Sequence, residues 1–128
     1  MQERRRWKRF DPAYPVEWDE GELALADISK GGAGLLSALP PDQNGQIVLR
    51  LFMKDRMYRF RAVTVYVKKL RDGMFRVGTR FLDLPSGFAE AFEREIEEIS
   101  QYRRENKLYR NEAISFREAS RKYLKLPS

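Results

Sequence analysis

Two periodicities divide the chain. Up to about residue 84 apolar positions recur at every second residue, and beyond it they recur at helical spacing. Pro15-Val16-Glu17-Trp18 reads as a short strand, followed by a turn at Asp19-Glu20-Gly21 and a second alternating strand from Glu22 to Ile28. Gly31, Gly32 and Gly34 mark a loop, and Pro40-Pro41-Asp42 with Asn44-Gly45 mark another. Ile47, Leu49, Leu51 and Met53 alternate with polar neighbours as a half-buried strand. A long strand spans Met57 to Lys69, with Val63, Val65 and Val67 on one face. Asp72-Gly73 signals a two-residue hairpin turn. It leads into a last strand with Phe75, Val77, Thr79 and Phe81 on one face. Five or six short antiparallel strands joined by turns predict a mainly β fold, a small closed or nearly closed β-barrel.

The composition changes at Pro85-Ser86-Gly87, and from Phe88 to Leu126 there is no Gly and no Pro. Ser86 is a candidate N-cap, with Glu90 and Glu93 near the positive end of the helix dipole. Phe88, Phe92, Ile96 and Ile99 recur at helical spacing and are expected against the barrel. Further on, Tyr102, Tyr109, Phe116 and Tyr123 fall seven residues apart, beside a second row of Ile99, Asn106, Ala113 and Ser120. An unbroken helix here would run about 55 Å, more than a barrel of this size covers. Either a second helix folds back, or residues 99–123 are a self-association seam. The length of the uncapped pattern tips the expectation toward a homo-oligomer. The expected division is residues 1–85 for the barrel and its N-terminal segment, and residues 86–128 for a long C-terminal α-helical extension.

A length of 128 residues with 42% apolar content fits one core that needs no disulfide or metal. Cysteine and histidine are both absent, which excludes thiolate nucleophiles, Cys/His zinc sites and any Ser-His-Asp arrangement. The tail glutamates (Glu90, Glu93, Glu95, Glu97, Glu98, Glu105, Glu112 and Glu118) interleave with Arg and Lys as a charged helix surface and offer no distinct acid-base pair. The expectation is a non-enzyme with no metal and no cofactor. MQERRRWKRF lacks an apolar segment behind its charges, and no run approaches the ~18 apolar residues of a membrane span, so a cytoplasmic location is expected.

A net charge of +6 favours an anionic partner. Arg4, Arg5, Arg6, Lys8 and Arg9 concentrate it at the front of the chain. Two short pieces give the charge a chemistry. The first is Arg5-Arg6-Trp7-Lys8-Arg9, an RxxxR arrangement, and the second is Asp27-Ile28-Ser29-Lys30-Gly31-Gly32, a DxSxxG arrangement. Taken singly they read as a solvated basic terminus and as a strand ending in a side-chain-stabilised turn. Taken together they fit a guanine nucleotide. Residues two apart in a strand point the same way, so Asp27 and Ser29 would present a carboxylate and a hydroxyl on one face. A carboxylate accepts from the N1-H and N2-H of guanine, and an arginine fork suits guanine O6/N7 or a phosphate. Gly31 and Gly32 permit close approach of a flat ligand.

RRRWKR, then DISKGG, then the strand Val77-Gly78-Thr79-Arg80-Phe81-Leu82-Asp83, together resemble a PilZ domain over about residues 3–84. The resemblance implies a six-stranded β-barrel that binds cyclic diguanylate (c-di-GMP) across its outer surface, with the arginine segment closing over the ligand. It implies that Arg5 and Arg9 contact guanine and phosphate, that Asp27 and Ser29 hold a guanine edge, and that Gly32 is the motif glycine. Arg4 precedes the RxxxR motif, where an extra positive charge would favour a stacked pair of ligand molecules. Arg80 is a further candidate contact from the last strand. The long tail departs from the family's usual short helix.

Two other classes stand beside this one. The barrel could be a scaffold in a structural or adaptor protein that assembles through its tail. A nucleic-acid binder would display aromatics on an open strand face, whereas Phe75 and Phe81 fall with Val77 on the core side; Trp7, among the arginines, could stack on a base or equally pack against the barrel. The receptor reading expects binding to be passed on to a partner protein as a conformational change.

Overall fold

The computed structural model describes residues 7–127. Strands β1 (Val16–Trp18), β2 (Gly21–Ile28), β3 (Gly32–Ser37), β4 (Gln46–Phe52), β5 (Met57–Lys69) and β6 (Phe75–Phe81) close into a barrel in the order β1-β2-β3-β6-β5-β4. Every neighbouring pair is antiparallel. The inward row of β6 is the expected one, and Phe81 stacks on Phe60 with centroids 4.3 Å apart.

Of the expected loop at Gly31, Gly32 and Gly34, only Gly31 lies in a turn; Gly32 and Gly34 belong to β3. Its glycines serve backbone approach, not turning: a Cβ on Gly32 would lie 2.1 Å from the Thr79 carbonyl oxygen. Ala33 and Leu35 fill the barrel interior from this strand. The hairpin at Asp72-Gly73 is also longer than the dipeptide suggests. The Leu70 carbonyl accepts from the Gly73 N–H, and the Leu70 N–H donates to the Met74 carbonyl. The result is a three-residue loop whose last member, Gly73, has φ +87°.

Register is interrupted twice, between Leu25 and Asp27 in β2 and between Thr64 and Tyr66 in β5. Each interruption is a bulge that resets the alternation of faces. In β2 the inward residues are Leu25 and then Ile28, which turns Asp27 outward. In β5 the inward row is Tyr58, Phe60, Ala62 and Thr64, and both Val65 and Tyr66 then face out. The valine row at 63, 65 and 67 is therefore not a core face.

Helix α1 (Phe88–Arg110) closes one end of the barrel. Phe88 is fully buried with its ring edge-on to Phe60, and Phe92 and Ile96 join the same core cluster. The residue at the N-cap is Gly87, with φ 82° and no side-chain cap, not Ser86; Glu90 does lie in the first turn. The helix stops at Asn111, which adopts the left-handed conformation at φ 55°. Helix α2 (Phe116–Tyr123) then starts from Ser115, whose Oγ accepts from the Glu118 N–H.

The continuous helical seam is thus not formed, and the second helix folds back. Asn106 and Ser120 are buried within this chain, and the Ser120 Oγ accepts from the Ala13 N–H at 2.7 Å. The Tyr14 hydroxyl donates to Glu95 at 2.9 Å, and the Tyr123 hydroxyl donates to Glu98. These contacts fasten both helices to the segment that precedes β1. No described helix is long and apolar enough to cross a membrane.

Candidate ligand-binding site

The segment ahead of β1 is tied to the end of β2. Phe10 and Ile28 exchange both backbone hydrogen bonds, at 2.9 and 2.8 Å. The Phe10 ring packs against Phe92 and Phe116, which locks this crossing in place. Arg9 is thereby held next to Asp27, and its Nη1 donates to Asp27 Oδ1 at 2.6 Å.

The other carboxylate oxygen is taken as well. Arg76 Nη2, from β6, donates to Asp27 Oδ2 at 3.0 Å. Arg76 Nε reaches the Tyr66 hydroxyl at 3.3 Å. This bond, with the nearby carboxylate adding to it, raises the pKa of Arg76 further, so the guanidinium is cationic at any physiological pH. Arg9 also carries an Nε–H that is buried and has no acceptor among the described residues.

Register explains the layout. Asp27 pairs with Gly34, Gly34 with Gly78, and Gly78 with Tyr66, so these four residues form one row across β2, β3, β6 and β5. The two residues at the ends of the row are the ones turned outward by the bulges. The two in the middle have no side chains.

Of the residues expected at the site, Arg4 and Arg5 lie outside the described residues. Arg9 and Asp27 are brought together. Ser29 is not displayed beside Asp27: β2 has ended at Ile28, and the buried Ser29 hydroxyl accepts from the Gly31 N–H at 3.1 Å. It shapes the turn instead. Gly31 lies under Trp7, since a Cβ there would come within 2.8 Å of the indole Cδ1. Gly32 opens β3, and Arg80, its cross-strand partner, is exposed two residues along β6 from Gly78. Trp7 is half exposed, with the Lys30 ammonium over its ring at 5.4 Å.

Arg76, Tyr66, Gly34 and Gly78 are the residues that the sequence reading left out of the site. Alternation alone turns Arg76 outward on β6. Its meeting with Asp27 needs β3 to stand between them as a strand, and that segment reads as a loop. Among the described residues no group of three or more Asp or Glu gathers as a metal site.

The PilZ domain family matches residues 3–98. The structure of YcgR from Escherichia coli in complex with c-di-GMP superposes with a TM-score of 0.64 at 22% identity, over 80% of this chain and 49% of that one. The Bacillus subtilis inhibitor of motility, MotI (DgrA), gives 0.64 at 17% identity, over 76% and 54%. The Klebsiella pneumoniae MrkH–c-di-GMP complex gives 0.55 at 17% identity, over 85% and 55%. At these identities the likeness is one of fold, and the chain spans about half the length of each of these structures. Comparison with curated proteins finds no match.

Proposed function

This chain belongs to the PilZ domain family, and we propose that it is a receptor for c-di-GMP that holds the ligand on the outer face of the barrel. The observation that carries the reading is the Arg9–Asp27 pair at 2.6 Å, set on a glycine floor and backed by a buried Arg9 Nε–H with no acceptor among the described residues. A carboxylate there accepts from the guanine N1-H and N2-H, and the arginine supplies donors for guanine O6/N7 or a phosphate oxygen. Arg5 adds a second fork, and Gly31 and Gly32 bring the backbone at the start of β3 up to the ligand, with Trp7 covering Gly31. Ser29 shapes the turn that carries these glycines, and Arg80 flanks the floor. Arg4 brings the extra charge that favours two stacked ligand molecules per chain.

The protein acts by binding, not by catalysis, and works in the cytoplasm. Residues 1–85 carry the ligand site, and residues 86–128 pass its state to a partner protein. Lys30, inside the DxSxxG segment, supports this route by its ion pair with Glu93 of α1 at 2.5 Å. One observation favours an adaptor role for the tail as well: Leu108 and Tyr109 stand 73% and 79% exposed at the end of α1.

The test is isothermal titration with c-di-GMP, beside GTP and cyclic diadenylate. Saturable binding of c-di-GMP alone is the expected result, with two ligands per chain. No binding of c-di-GMP overturns the receptor reading, and saturation at one ligand per chain rejects the role given to Arg4. No binding together with a stable oligomer favours the adaptor.

A further inference from the structure

Charge changes sign along α1. Its first half carries Glu90, Glu93, Glu95, Glu97 and Glu98 against Arg94 alone. From Arg103 to Arg117 the balance reverses: Arg103, Arg104, Lys107, Arg110 and Arg117 stand against Glu105 and Glu112, five cations less two carboxylates, or +3. Cations in the last turn suit the helix dipole, but this set begins a turn earlier and continues into α2. Arg104 pairs with Glu97 at 3.2 Å, whereas Arg103, Lys107, Arg110 and Arg117 have no ion-pair partner among the described residues. Every residue from Lys107 to Ala113 is exposed, so this end of the tail projects. At its centre Leu108 and Tyr109 are 73% and 79% exposed, more than any other large apolar side chain described. Beside them a groove of about 340 Å³ between α1 and the loop into α2 is lined by Ser100, Arg103, Arg104, Lys107, Ala113 and Ile114. The Arg103 Nε donates to the Ile114 carbonyl at 2.7 Å, which fixes the guanidinium at this groove.

We propose that this end of the tail docks on an anionic lipid bilayer, with Leu108 and Tyr109 entering the interface and a lipid phosphate held in the groove by Arg103 and Lys107. The inference is independent of the receptor reading and names what the exposed end of α1 meets. Two consecutive helix residues point about 100° apart. A rigid protein face or a nucleic-acid groove covers one and leaves the other bare, whereas a bilayer surrounds a projecting end. Leucine gains nothing against phosphates and base edges. Tyrosine suits a membrane interface, with its ring in the acyl boundary and its hydroxyl among the headgroups. Apolar anchoring of this size is weak alone and needs a second signal. The cations supply it, since each Lys or Arg near an anionic leaflet strengthens binding about fivefold.

The experiment is co-sedimentation of the full chain with two kinds of vesicle, phosphatidylcholine alone and phosphatidylcholine with about one-third phosphatidylglycerol. The variants are Leu108→Gln/Tyr109→Gln, Arg103→Gln/Lys107→Gln and Lys107→Gln/Arg110→Gln, with thermal unfolding as the check on folding. The wild type should sediment with the anionic vesicles and not with the neutral ones, and added salt should weaken the binding. Losing the apolar pair should weaken it at least about tenfold, and losing either cation pair about twenty-fivefold. c-di-GMP titration of the same variants should match wild type, because these residues lie outside the ligand site. A wild type that ignores anionic vesicles overturns the docking and leaves the receptor reading standing. Wild-type vesicle binding by Leu108→Gln/Tyr109→Gln overturns it too, since the contact then lies elsewhere on the chain. Binding to poly-glutamate in place of vesicles overturns it in favour of an acidic protein partner. If Arg103→Gln/Lys107→Gln does not fold, Lys107→Gln/Arg110→Gln decides, with the same loss expected.

Discussion

Arg9 and Asp27 come from opposite sides of β1 in the sequence, and their side chains meet at 2.6 Å on the outside of the barrel. Nothing in the strand pairing of β1 brings them together. The meeting depends on the Phe10–Ile28 bridge, which crosses the arm over the end of β2, and on the bulge after Leu25, which turns Asp27 away from the core. A cationic segment and a carboxylate that read as separate motifs are therefore one structural unit before any ligand is present.

Arg9→Ala and Asp27→Ala should each weaken c-di-GMP binding at least about tenfold, because each removes a charge-assisted contact worth ~1.5–3 kcal/mol. Calorimetric titration checks this. Near-wild-type affinity in both variants contradicts the site.

Ser29→Ala should behave differently. It deprives the Gly31 N–H of its acceptor within a part-buried turn, so a loss of about 1 kcal/mol in stability is expected. Its effect on binding should be smaller than that of Asp27→Ala. A Ser29→Ala variant with unchanged unfolding and fully lost binding would make the hydroxyl a direct ligand contact instead.

Gly32→Ala should destabilise the barrel by about 1–3 kcal/mol, since the added methyl meets backbone, which cannot rotate away: the Thr79 carbonyl is 2.1 Å from the Cβ position. Thermal unfolding measures the effect. Gly73→Ala has open space around its Cβ, so any cost there comes from its left-handed backbone alone.

Glu95 gives the fold a pH dependence. Burial pushes its carboxyl above the ordinary range, and the opposing bonds from the Tyr14 hydroxyl and the Lys54 N–H only partly offset this. A group whose folded pKa is raised stabilises fully below its unfolded pKa, and that contribution is lost as pH rises through the folded value. Glu95→Gln keeps an acceptor for Tyr14 without the charge. Its unfolding midpoint should equal or exceed that of wild type at pH 7, and the two should converge in mild acid. A variant less stable than wild type at pH 7 contradicts the sign.

Much of this was legible from residues alone. Alternation at Ile47 to Met53 and at Phe75 to Phe81, and helical spacing at Phe88, Phe92, Ile96 and Ile99, report burial directly, so the barrel and the inward face of α1 follow. The two motifs follow as well, because arginine forks and a carboxylate have specific partners. Three things did not follow. β3 carries glycines for close backbone contact, and in a one-dimensional reading these look the same as glycines for turning. A bulge has no compositional mark, so the outward aim of Asp27 and Tyr66 was hidden and Val63, Val65 and Val67 were given a common face. The seven-residue rows in the tail run through Asn111, whose left-handed conformation splits them into two helices packed on one another.

The most direct test of the central claim is where the ligand perturbs the backbone. Amide chemical-shift mapping during titration with c-di-GMP should move Asp27 to Gly34 and Arg76 to Arg80 most, together with Arg9. If c-di-GMP binds but the largest shifts fall at the far rim of the barrel, around Trp18 and Pro40 to Gly45, or if these outer-face amides stay still at saturation, the outer-face site is wrong.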